Sequence, residues 1–209
     1  MYCLYSAPGA GSIAPEVMFE EAGIRYRTVP INLAAGEHLE ADYLAINPAG
    51  QVPALRLPDG SLMTESAAMV LLIGERHPEA GLVPGNDQPE RPTFLRWLLF
   101  MATAVYPAML RINHTERFTT DADGMPAVRE AALSSLVNQF TLLDQAVAGD
   151  PWFLASGYSA LDIYLAMLAD WHPQPKELLA ECRSVARLCE ATEQRPAFAR
   201  VMARHRGSG

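Results

Sequence analysis

Two regimes of apolar spacing divide this 209-residue chain. In the first, short segments alternate between the twofold period of a strand and the 3.6-residue period of a helix. Met1–Ser6 predicts a short buried strand. Ala14–Ala22 places Val17, Met18 and Ala22 on one side and stops at Gly23, the pattern of a helix closed by a glycine. Arg25–Ile31 alternates and predicts a second strand. Pro53–Leu57 and Ser61–Thr64 flank Pro58-Asp59-Gly60, a hairpin signal. Glu65–Arg76 predicts a helix with Ala68, Val70, Leu71 and Leu72 toward a core and His77-Pro78 as its stop. Strand, helix, strand, hairpin and helix make one α/β unit.

Pro78–Pro92 interrupts the pattern with Gly81, Pro84, Gly85, Asn86, Asp87 and Pro89, and reads as a linker. Everything beyond it has helical spacing. Thr93–Leu110 carries Phe94, Leu98, Met101 and Val105 three or four apart, with Pro107 expected to kink it. Thr115–Gly124 is a polar connection. Ala127–Val147 repeats the spacing at Leu133, Leu136, Phe140, Leu143 and Val147. Ala160–Trp171 is almost wholly apolar and predicts a helix buried on all sides. Helices over Lys176–Glu190 and Pro196–Arg204 follow, and Gly207-Ser208-Gly209 reads as a flexible tail. The expected division is residues 1–78, a linker at 79–92, and an all-helical part at 93–209.

Composition narrows the function. Half the residues are hydrophobic, which predicts a packed core, and a formal net charge of −8 disfavours nucleic acid, whose phosphates call for a basic patch. No uninterrupted apolar run approaches the roughly 20 residues that span a bilayer, so no membrane is expected. Three cysteines, Cys3, Cys182 and Cys189, without a Cys-x-x-Cys pair, read as reduced structural thiols in a cytoplasmic protein. The five histidines are scattered without ligand spacing, so no metal is expected.

The chemistry concentrates in two segments. In Gln51-Val52-Pro53 a proline entering a strand removes one ladder donor, and it can leave the Val52 N–H and C=O for an extended peptide. The same residues also fit an ordinary turn before an edge strand. In Thr64-Glu65-Ser66 the first turn of a helix offers free N–H groups and partial positive charge to a carboxylate. The Ser66 hydroxyl can donate there, and the Glu65 carboxylate can accept from an ammonium group. Plain helix capping by Thr64 is the alternative.

Taken in order, Asn47-Pro48-x-Gly50-Gln51-Val52-Pro53-x-Leu55 and Thr64-Glu65-Ser66 resemble the glutathione S-transferase superfamily. Ser159-Ala160-Leu161-Asp162-Ile163-Tyr164 is similar to that superfamily's capping signature, with Ser159 capping, Asp162 reaching back and Tyr158 stapling on Ile163. The resemblance implies a thioredoxin-like N-terminal α/β domain, an all-α C-terminal domain, and a homodimer with its site in the interdomain cleft. It further implies glutathione as co-substrate, a small apolar electrophile as partner, and an enzyme of detoxification. The start, Tyr5-Ser6-Ala7-Pro8-Gly9-Ala10-Gly11-Ser12, resembles the bacterial beta class, with Gly11 in place of that class's cysteine. Glycine cannot form the mixed disulfide that cysteine would, which counts against disulfide reduction.

Ser12, at the start of the first long helix, is therefore the candidate donor to the glutathione sulfur, with Tyr5 as the second candidate and Gly11 offering a backbone N–H. A capping role for Ser12 is the alternative. Gln51, Val52, Pro53, Glu65 and Ser66 are the expected glutathione-binding residues, and His38 stands where the resemblance implies a basic group near the glycine carboxylate. A solvated surface histidine is the alternative at 38. Tyr106 and Pro107 are expected in the electrophile pocket. Glutathione-dependent isomerisation or dehalogenation on the same fold, or a non-catalytic binding module, are the competing functions.

Overall fold

A computed structural model describes Met1–Gly207; the last two residues of the expected tail, Ser208 and Gly209, lie outside the described residues. The chain forms two compact units, one made of Met1–Gly85 and the residues from Glu193 onward, the other of Asn86–Thr192.

The first unit is built on a four-stranded sheet in the order β2-β1-β3-β4. Strands β1 (Tyr2–Ser6) and β2 (Tyr26–Pro30) are parallel and joined through helix α1 (Ile13–Glu21). Strand β3 (Ala54–Arg56) runs antiparallel to β1, and β4 (Leu62–Met63) antiparallel to β3. The hairpin turn closes with Leu57 N–H on Ser61 O and Gly60 N–H on Leu57 O, and the Asp59 carboxylate accepts from the Ser61 N–H. Gly23, at φ 64°, ends α1 as expected, while Ile24 N–H bonds back to Phe19 O. β3 is central, flanked by β1 and β4, so the edge-strand expectation fails for it.

Helix α3 (Ser66–Arg76) buries Met69, Val70 and Ile73 rather than the Leu71-Leu72 side expected from sequence. A Cβ at Gly74 would run into Val83, so this glycine sets how closely the chain beyond α3 can pack. Between β2 and β3 lie a 3-10 turn (Glu37–Leu39) and a one-turn helix α2 (Ala41–Leu44), both too short to leave a helical period in the sequence.

In the second unit α4 (Arg91–Phe100) continues through a π-helical turn (Met101–Val105) into α5 (Tyr106–Asn113). Pro107 sits at the start of α5 behind that turn, so the interruption expected at the proline takes the form of a wide turn before it. The run Arg91–Asn113 spans 23 residues and, by length and composition, is long and apolar enough to cross a membrane. The core helix of a soluble protein passes the same test. Phe94, Leu98, Met101 and Val105 are buried as the spacing predicts.

Helix α6 (Met125–Ala146) buries Leu136, Phe140 and Leu143. Helix α7 (Ala160–Asp170) is buried from Ala160 through Ala169. The single helix expected over Lys176–Glu190 is two, α8 (Pro175–Glu181) and α9 (Arg183–Glu193). The Asp144 carboxylate, on α6, accepts from the Ser184 and Val185 N–H groups at 2.7 and 2.9 Å and starts α9 afresh. Cys182 lies in the break, and all three cysteines are buried and outside any disulfide.

The last helix, α10 (Pro196–Arg206), belongs to the first unit and packs on α1. Arg195 grips the Glu21 carboxylate with two bonds of 2.8 and 2.7 Å, Arg200 pairs with Glu20, and Arg204 pairs with both Glu16 and Glu20. Bonds from Tyr26, Arg204 and Arg200 outweigh burial and hold the Glu20 carboxyl below its ordinary range.

Candidate functional site

Registers decide which motifs meet. β1 and β3 are antiparallel with Tyr5 opposite Ala54, and β3 and β4 are antiparallel with Leu55 opposite Met63. The end of β1, the start of β3 and the end of β4 therefore lie at one end of the sheet. Three segments follow from it: Ala7–Ser12 leading into α1, Gln51-Val52-Pro53 leading into β3, and Thr64-Glu65 leading into α3.

Val52 lies outside the ladder, whose last pair is Tyr5 with Ala54, and the Val52–Pro53 peptide bond is cis. Its side chain packs against a cluster of Cys3, Tyr5, Ile31, Tyr43 and Ala54. The preceding turn is held by buried groups. Gln51 C=O accepts from the Tyr43 hydroxyl at 2.7 Å and from Asn47 Nδ2 at 2.6 Å, while Asn47 Oδ1 accepts from the Ala49 N–H. Burial pushes the Tyr43 hydroxyl up to about 12, so it stays a donor across the working range of pH. Gly50 is at φ 60°, and a Cβ there would sit 3.1 Å from Leu39 Cδ2 and 3.3 Å from His38 O. Pro53 is buried and Gln51 is exposed.

Glu65 precedes α3 with φ 66° and ψ 103°, the one non-glycine residue with positive φ among those described. Such backbone costs roughly 1–3 kcal/mol and is characteristic of functional positions. Glu65, and not Thr64, occupies the N-cap position of α3; its side chain makes no capping bond and it is exposed. Ser66 is buried in the first turn.

Ser12 stands at the N-terminus of α1 and makes no capping bond. Its hydroxyl donates to Ala7 O at 3.3 Å and accepts from the Ser6 hydroxyl at 2.9 Å, and Ser12 has no exposed surface. Tyr5 is elsewhere. Alternate residues of β1 face opposite sides of the sheet: Tyr2 meets Phe19 of α1, whereas the Tyr5 ring meets Tyr43 at 6.1 Å. The hydroxyl beside Ser12 is thus that of Ser6, because the face of β1 that carries Tyr2 and Ser6 is the one that meets α1. Gly11 is buried and Ala10 is half-buried in the same loop.

His38 is half-buried in the 3-10 turn, and its Nδ1 is buried without a hydrogen-bond partner, unlike a solvated surface histidine. In the second unit, Tyr106 and Pro107 are both half-buried, and the Tyr106 ring meets Trp171 edge-on at 5.2 Å. The Ser159–Asp162 capping box is present, but Tyr158 packs edge-on against Trp152. Sequence reasoning missed Tyr43, Asn47 and His205, because their roles depend on partners brought in by the fold.

Residues 14–76 match the family described as glutathione S-transferase, N-terminal domain. An uncharacterized GST-like protein, YncG, of Escherichia coli K12 is 27% identical over 206 residues, 98% of each chain. Glutathione S-transferase GstA of Escherichia coli O157:H7 is 27% identical over 92% of this chain and 93% of its own. Among solved structures, a glutathione transferase homolog from Sulfitobacter with bound glutathione is 26% identical, covers 98% of both chains and superposes with a TM-score of 0.90. With the mixed four-stranded sheet, the helical second unit and the ordered motifs, these likenesses support the glutathione S-transferase superfamily and fit its thioredoxin-like and helical fold.

Proposed function

We propose that this chain is a glutathione transferase that binds glutathione at the described end of the sheet and presents its thiolate to small apolar electrophiles. One juxtaposition carries the reading: an unpaired backbone stretch at Val52 and the N-termini of α1 and α3 share that end. A γ-glutamyl tripeptide offers matching chemistry. Its extended backbone suits Val52, and its α-amino acid end suits the Ser66 turn with the Glu65 carboxylate. His38 is the residue assigned to the glycine carboxylate, and Gln51 and Pro53 frame the backbone contact. Its thiol then meets the start of α1, where Gly11 adds a backbone N–H and the positive helix end favours a thiolate.

Ser12 is the proposed donor to the sulfur. Its bond to Ala7 O is long, so a thiolate, a stronger acceptor, can draw the proton away from it. Ser12 has no exposed surface, so the sulfur reaches its hydroxyl only if the segment leading into α1 shifts. That burial favours one second reading, in which glutathione is bound but not activated. Tyr106 and Pro107 are proposed to meet the electrophile; the thiolate forms the carbon–sulfur bond as a leaving group departs with its bonding pair, or as a double bond opens and its far carbon takes a proton from water. A cytoplasmic homodimer completes the proposal; buried cysteines outside any disulfide support the first word, and exposed Leu99, Val137 and Leu142 the second.

The test is a pH titration of the thiolate ultraviolet absorbance of bound glutathione, for the wild type and Ser12→Ala. A free thiol titrates near about 8.5. The proposal expects a clearly lower midpoint in the wild type, and a rise of about one unit with little change of affinity in Ser12→Ala. Bound glutathione that titrates like the free thiol in the wild type leaves the binding module. A lowered midpoint unchanged in Ser12→Ala removes Ser12 from the sulfur.

A further inference from the structure

We infer that His205, near the end of α10, is a positioning residue that fixes the backbone of the turn leading into α1. The turn is Ala7-Pro8-Gly9-Ala10, closed by Ala10 N–H on Ala7 O at 3.2 Å, with Gly9 at φ 65°. Proline second and a positive-φ glycine third is the pattern of a type II turn. Type I and type II turns differ by rotation of the central peptide plane, here that of Pro8–Gly9, and glycine is free to adopt both. The direction of the Gly9 N–H therefore distinguishes the two states.

In the structure that N–H donates to His205 Nδ1 at 3.2 Å. Because an amide N–H can only donate, Nδ1 is the acceptor and the ring proton sits on Nε2. Nε2 in turn meets Glu16 Oε2 at 3.0 Å, and the other Glu16 oxygen is held by Arg204. His205 and Glu16 are both buried, their side chains 5% and 4% exposed. The Arg195–Glu21, Arg200–Glu20 and Arg204–Glu16 pairs dock α10 along α1 and so hold the imidazole in place. From the other side the turn is pinned by the Ser12 hydroxyl on Ala7 O. A residue near the chain's end thereby selects one peptide orientation two residues before Gly11. Its consequence for turnover rests on the placement of the thiol proposed above.

Two near-isosteres separate the contacts. His205→Asn puts an oxygen where Nδ1 was and keeps an acceptor for Gly9, without reaching Glu16. His205→Gln places an amide N–H where Nε2 was and keeps the Glu16 contact, without an acceptor for Gly9. The measurements, on the full chain, are amide hydrogen exchange at Gly9 by NMR, and kcat and KM for glutathione conjugation.

The expectation is faster Gly9 exchange in His205→Ala and His205→Gln, restored protection in His205→Asn, and a kcat following the same order. One lost hydrogen bond predicts a fall of about three- to tenfold, with KM changing less. Equal behaviour of Asn and Gln, rescue by Gln alone, or unchanged exchange in His205→Ala would overturn the inference. Should the wild type conjugate nothing, the transferase reading fails by itself, while the exchange pattern still decides whether His205 holds the turn.

Discussion

Replacing Asp162 by asparagine makes a quantitative test of how the helical unit is held. The carboxylate accepts from Phe153 N–H at 2.8 Å on one oxygen, and from Ser159 N–H at 2.7 Å and the Ser159 hydroxyl at 3.1 Å on the other. Burial outweighs these bonds and pushes the carboxyl up from its ordinary 3.8 to about 6. A raised carboxyl pKa means that the folded state holds the proton more tightly than the unfolded state. Its stabilisation is complete below the unfolded value and is lost as pH rises from about 4 through about 6. The full loss is about 3 kcal/mol, of which about 1 kcal/mol has already gone at pH 4.5. Asparagine has the same shape and no titration, but its amide NH2 must face one of the two backbone donors, at about 1–3 kcal/mol. The wild type's advantage over Asp162→Asn should therefore shrink by about 2 kcal/mol between pH 4.5 and 7.5. Urea unfolding of both proteins at the two pH values, followed by tryptophan fluorescence, measures it. A difference that is constant, or that grows with pH, would show that the N–H bonds hold the carboxylate ionised and that burial does not dominate.

Asn47→Ala removes one of the two donors to Gln51 C=O and the acceptor for Ala49 N–H. Calorimetric titration should show glutathione binding weakened about three- to tenfold, one lost hydrogen bond's worth, if Val52 is the backbone contact. Gly50→Ala forces a Cβ against Leu39 and the His38 carbonyl at φ 60°, and chemical denaturation should report a loss of at least about 1–2 kcal/mol. Unchanged stability there would mean that the 3-10 turn yields freely.

Local physics made much of this protein readable without coordinates. Gly23 ends α1 because a left-handed residue closes a helix most cheaply without a side chain, and Pro58-Asp59-Gly60 turns the hairpin by the same rule. The Ser159–Asp162 box is contained in four residues, and Ala160–Ala169 reads as a buried helix because all but Asp162 of it is apolar or aromatic. Family resemblance through Val52-Pro53 and Glu65-Ser66 was legible for the same reason: each is a short segment whose chemistry depends on its own backbone. What remained hidden was set by groups distant in sequence. The β1 register decides that Ser6 and not Tyr5 adjoins Ser12, since parity needs to know which face of the strand meets α1. Asp144 splits the last stretch of the helical unit into α8 and α9 by capping from forty residues away. His205 reaches Gly9 across 196 positions because the arginines of α10 find the glutamates of α1. Helical periodicity could announce α10, but the hydrogen bonds that give it a task form only once the two chain ends are packed together.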